Sequence, residues 1–111
     1  MDGIITYHAF PFNAQMEYMD STLVKYGLEL THSLDRVLNQ KLKTVLSQRD
    51  VPGLTGATLP LLKSQGVKAL SFGTNEASAP LGFPKDTPFI WKYAETEMMT
   101  FLQLRVFHIV K

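Results

Sequence analysis

Apolar residues along this chain fall into two patterns that alternate, short dense blocks and longer stripes spaced by threes and fours. Ile4–Ala9 is rich in β-branched and aromatic residues and predicts a strand. Phe10-Pro11-Phe12-Asn13 breaks it, and Ala14–Met19 reads as a helical turn. From Ser21 to Leu38 the positions Leu23, Gly27, Leu30, Leu34 and Val37 recur at helical spacing, with Val24, Leu28 and Leu38 widening the stripe. Lys25, Glu29, His32, Ser33 and Arg36 fall on the other side, so the segment predicts an amphipathic helix lying on a sheet, N-capped by Asp20. Gly27 weakens that helix intrinsically and points to close packing at its position. Lys43–Ser47 and Val67–Phe72 are short apolar runs of the kind found in buried parallel strands. Between them Thr58 is placed to cap a helix with Pro60 in its first turn, and Gly66 suits the left-handed position that ends it. Phe89–Tyr93 predicts a further strand, while Met98–Val110 fits a strand, a pair of strands or a helix.

This order predicts an α/β fold with strands at about 4–9, 43–47 and 67–72 as parallel neighbours. Helices at about 21–38 and 58–65 pack on one face, because crossovers between parallel strands are right-handed. The polar loops after the strands then share one side of the sheet, where ligands bind in parallel α/β proteins. His8, Asn13, Arg49, Asp50 and Asn75 each lie at or just past a predicted strand end and form the candidate cluster.

A length of 111 residues suits one small domain and is far short of the roughly 250 of a closed βα barrel. The net charge is +1 and no run of Lys and Arg interleaves with aromatics, which argues against nucleic acid as a partner. Without cysteine there is no disulfide framework and no thiolate zinc site. Met1-Asp2-Gly3 offers no basic leader, and the apolar run at 101–110 is short and holds Arg105, so no signal peptide or membrane span is expected and a cytoplasmic location is the default. Phosphate-binding glycine loops and the G-x-S-x-G elbow are missing.

Longer stretches carry a resemblance. HAFPFNAQMEYMD, LVKYGLELTHSLDR, RDVPGLTGATLPLLKSQGVKALSFGTNEAS and PFIWK look like a group of glycoside hydrolase-like proteins related to the N-terminal catalytic domain of glycoside hydrolase family 38, the α-mannosidases. The likeness covers about residues 4–92. It implies a partial parallel sheet of βα units, a slice of a seven-stranded βα barrel, with residues 1–96 as the barrel segment and 97–111 as a divergent C-terminal tail. It also implies a truncated chain. Asp50, in the RDVPG turn, stands where the family has the Asp of its D-x-F-G-H-S-like segment and so resembles the general acid/base. His8, Asn13, Arg49 and Asn75 would contact carbohydrate, the partner of full-length relatives. The family's nucleophile segment, Asn-Asp-Glu, corresponds to Asn13-Ala14-Gln15, which lacks the acid. The His-x-Asp pair that helps hold the family's zinc is missing, and Leu54 replaces the His of D-V-P-G-H-T. No metal or cofactor is therefore expected in this chain, while the resemblance implies that full-length relatives could hold zinc.

Each candidate has a plainer reading. Asp50 suits a turn, His8 a packed position, and Asn13 and Asn75 loops whose backbone groups need partners. Glu29-x-x-His32 has the spacing of a di-metal helix motif but no second copy, and reads as a solvated face. Trp91 fits sugar stacking or a core strand. Three function classes follow: a glycosidase-like fragment inactive alone, a small α/β binding or interaction module without catalysis, and a polysaccharide deacetylase-like barrel fragment. A slice of a barrel also exposes a sheet edge, through which the chain would self-associate.

Overall fold

The structure, a computed structural model, describes residues 5–74 and 86–103. Its centre is an open four-stranded sheet in the order β1-β2-β4-β3, with β1 at Val45–Val51, β2 at Ala69–Thr74, β3 at Phe89–Tyr93 and β4 at Thr96–Gln103. β1 pairs parallel with β2 and β2 parallel with β4, while β3 and β4 form an antiparallel hairpin. The described part of Met98–Val110 is thus strand. The helices are α1, Ser21–Val37, and α2, Thr58–Ser64, and a single 3-10 turn spans Met16–Tyr18. The parallel pairing expected of the second and third predicted strands is present, with both shifted about two residues toward the C-terminus.

Both helices lie on the same face of the sheet. Val24 and Leu28 of α1 and Leu59 and Leu62 of α2 meet Leu46, Leu70, Phe72, Met98 and Leu102 in one core, joined by Ala9, Phe10 and Met16. Asp20 caps α1 as predicted, its Oδ1 accepting from the Leu23 N–H at 2.8 Å. α2 differs from expectation. Thr58 is its first residue, Ala57 holds the cap position, and no side chain caps the end. Backbone carbonyls of Thr55 and Gly56 take the first N–H groups instead, at 3.0 Å each. Gly66, with φ 91°, ends this helix in the left-handed conformation.

The expected strand at residues 4–9 is corrected over its described part. Residues 5–9 are irregular, and the Ala9 N–H bonds the Val45 carbonyl at 2.8 Å, at the very start of β1. Two aromatic anchors account for this path. Phe10 drops into the core, and the Tyr7 hydroxyl donates to Asp35 Oδ1 at 2.7 Å, drawing the segment toward α1 and away from ladder geometry.

The predicted face of α1 is also corrected. Its buried residues are Val24, Gly27, Leu28, Thr31 and Asp35, while Leu23, Leu30, Leu34 and Val37 are exposed. Asp35 is fully buried because donors surround it: Tyr7 Oη, the Lys43 N–H at 2.9 Å and Lys43 Nζ at 3.2 Å. Burial works against its charge, yet those hydrogen bonds outweigh it and hold its carboxyl below the usual range. Gly27 does serve close packing. A Cβ there would stand 2.6 Å from Cε2 and Cζ of Phe10.

Candidate functional site

A bulge in β1 decides where the two charged residues of the candidate cluster sit. Arg49 pairs with Gly73 and Val51 with Thr74, leaving Asp50 as the extra residue at φ 56°. Asp is among the few side chains that tolerate this conformation. The bulge keeps Leu46, Gln48 and Val51 on the core side and turns Asp50 out to solvent. Arg49 and Asp50, expected in a loop beyond the strand, are therefore inside it. Arg49 lies on the sheet face opposite the helices, with Nη2 donating to Ser71 Oγ at 3.0 Å.

Gln48 is why the strand runs on through this polar stretch. Its buried amide donates from Nε2 to the Phe12 carbonyl at 3.2 Å, and Oε1 accepts from the Ala14 N–H at 2.6 Å. Asn13 reciprocates. Its Nδ2 donates to the Arg49 carbonyl at 2.6 Å and its Oδ1 accepts from the Arg49 N–H at 3.0 Å. A side-chain amide thus stands in for a neighbouring strand at the outer edge of β1. Glu17 braces the next loop, its Oε1 accepting from the Thr55 N–H at 2.9 Å and from Thr55 Oγ1 at 3.2 Å.

Of the expected cluster, Asn13, Arg49 and Asp50 come together at the C-terminal edge of β1. The backbone beside His8 is fastened at the other end of that strand, through the Ala9 N–H on Val45, although the charge of Arg49 reaches its ring. His8 Nδ1 accepts from the Phe10 N–H at 3.3 Å. Burial pushes its pKa down and the charge of Arg49 adds to the shift. Asn75 lies outside the described residues. Among the described residues, the Asp50 side chain has no hydrogen-bond partner, and no group of three or more His, Cys, Asp or Glu is placed to hold a metal ion.

A second feature occupies the helix-side face at the same end of the sheet. Gly53 and Leu54 from the loop after β1, Phe72 and Thr74 of β2, Thr100 and Leu102 of β4 and Phe89 and Trp91 of β3 line a pocket of about 200 Å³. Its walls are overwhelmingly apolar and aromatic. Thr100 Oγ1 bonds the Met98 carbonyl at 3.2 Å. Among the described residues, Thr74 Oγ1 is buried with no hydrogen-bond partner. A buried polar atom left without a partner costs about 1–3 kcal/mol, and a hydroxyl both donates and accepts. The pocket thus presents one unsatisfied hydroxyl within an aromatic cleft. Sequence reasoning weighed Trp91 and noted Leu54 but did not assemble the pocket. The alternation Leu70, Phe72, Thr74 along one strand face was its legible trace.

No family model, curated protein or solved structure matches this chain. No helix among the described residues is long and apolar enough to cross a membrane.

Proposed function

We propose that this chain is a small α/β binding module without catalysis, and that its ligand is a compact, uncharged, mostly apolar molecule carrying one hydrogen-bonding group. The observation that carries this reading is the unsatisfied Thr74 hydroxyl inside the aromatic pocket. A cavity of about 200 Å³ is smaller than the usual drug-sized site, so an aromatic alcohol or amide of about ten heavy atoms fits the volume. Apolar walls supply affinity and the hydroxyl supplies orientation.

Trp91, the single tryptophan, lines the pocket and serves as a fluorescent reporter. Phenol and toluene are the probes. Phenol should bind more tightly, and Thr74→Val should weaken phenol about three- to tenfold while leaving toluene unchanged. Equal binding of the two probes, or no binding of either, sinks the reading.

A second reading, a slice of a seven-stranded glycosidase-like barrel acting on carbohydrate, is favoured by the exposed Asp50 at the C-terminal edge of β1. Glycoside hydrolysis takes two carboxyls, and among the described residues Asp50 is the one at that edge. Glu17, Asp20 and Asp35 are held by backbone or side-chain donors. Release of the aryl group from aryl α-mannosides by the purified chain, with added zinc and abolished by Asp50→Asn, would replace the binding reading with this one.

A further inference from the structure

Because Thr31 and Asp35 take the core side of α1, an apolar strip is left on its outer side. Leu23, Tyr26, Leu30, Leu34 and Val37 follow one another at steps of three and four, and all are exposed, Tyr26 at 61 % and Val37 at 82 %. This is the spacing of a helix seam that meets another helix. The strip runs the length of a 17-residue helix, roughly 25 Å. It offers about 500 Å² of apolar side chain, the size at which a surface patch marks an interaction site. Pairing Tyr26, Leu30, Leu34 and Val37 of two copies would bury about 800 Å², the low end for a protein interface.

The charges beside the strip identify the occupant. Glu29 and Arg36 stand two turns apart on one flank, close enough to form an ion pair within the helix. A second α1 turned end for end about a twofold axis sets Glu29 of each copy level with Arg36 of the other. The same rotation lays Leu30 against Leu34 and Tyr26 against the Val37 end. A surface complementary to itself under a twofold axis is the mark of an isologous dimer. A lipid surface suits it poorly. Membrane-lying helices carry a basic polar face, whereas Lys25 and Arg36 here share the exposed surface with Glu29, and the opposite face of α1 is already in the core.

We propose that α1 is a homodimerisation helix, pairing antiparallel with α1 of a second copy through Tyr26, Leu30, Leu34 and Val37.

Sedimentation equilibrium of the full chain over a range of concentrations tests this, with far-ultraviolet circular dichroism to verify folding of each variant. The expected species is a closed dimer. The double variant Leu30→Lys/Leu34→Lys should raise its dissociation constant at least about a hundredfold. Arg36→Glu alone should weaken the dimer, and Glu29→Arg/Arg36→Glu should restore it, because the twofold axis re-pairs the exchanged charges. A monomer at every concentration, open-ended assemblies larger than a dimer, or a double charge exchange no better than the single one would each overturn the proposal. The charge variants alter only exposed side chains, so they decide the matter even if the lysine variant fails to fold.

Discussion

At the scale of the residue, one position in α1 is constrained by having no side chain. Gly27 lets the Phe10 ring lie directly against the helix backbone, and Phe10 is itself almost wholly buried. Alanine would ordinarily strengthen a helix interior over glycine by about 1 kcal/mol. Here its Cβ would stand 2.6 Å from two ring atoms, and overpacking of a filled core costs about 1–3 kcal/mol. Gly27→Ala should therefore lower the urea midpoint, and adding Phe10→Leu should recover part of the loss. A Gly27→Ala chain more stable than the wild type would show that the ring moves aside freely. At the same scale Asn13 and Gln48 act as fasteners, their side-chain amides bonded to backbone groups.

At the scale of the element, Asp35 is the joint between α1, the segment at Tyr7 and the entry to β1 at Lys43. Its folded pKa lies below the unfolded value, so its contribution to stability is fully present above about pH 4. That contribution is lost as pH falls through the depressed value. Tyr7 mirrors it on the alkaline side. The hydrogen bond to Asp35, helped by burial and the carboxylate charge, pushes Tyr7 up to about 12, so its share persists below about pH 10 and disappears as pH rises through the folded value. Asp35→Asn should cost about 3 kcal/mol at neutral pH, as for a buried pair stripped of one charge, and should flatten the acid limb of the urea-midpoint profile. Ultraviolet titration of the tyrosines should show one ionising near 12 in the wild type and none so late in Asp35→Asn. An acid limb identical in the two proteins would remove Asp35 from the joint.

At the scale of the whole molecule, order should be deepest where the sheet is covered on both sides of a strand. β2 lies between two parallel partners, with Leu70 and Phe72 almost wholly inaccessible. β3 is an outer strand whose residues are all exposed or half-buried. Native-state hydrogen exchange should accordingly be slowest at the amides of β2 and adjoining β4 and faster in β3. Equal protection across the hairpin and β2 would contradict a core centred on β2.

What the amino-acid sequence determined alone was the set of local elements. The Asp20 cap, the Gly66 stop, the tight packing at Gly27, the parallel pairing of the strands flanking α2 and the strand at Phe89–Tyr93 all follow from short-range chemistry: side-chain oxygens next to free N–H groups, a residue without Cβ, and apolar runs of strand length. Tertiary structure decided what depends on distant partners. Leu30 and Leu34 look more like core residues than Thr31 and Asp35 do. The choice went the other way because Tyr7, far off in sequence, and Lys43, beyond the end of the helix, bring donors that make a buried carboxylate tolerable. Gln48-Arg49-Asp50 looks like a loop, yet it is strand because Phe12 and Ala14 satisfy the Gln48 amide and one left-handed residue absorbs the bulge. Periodicity measures average polarity along a helix or strand. Whether a polar group is buried depends on whether its hydrogen bonds are completed, and in this chain the completing groups come from elsewhere in the sequence.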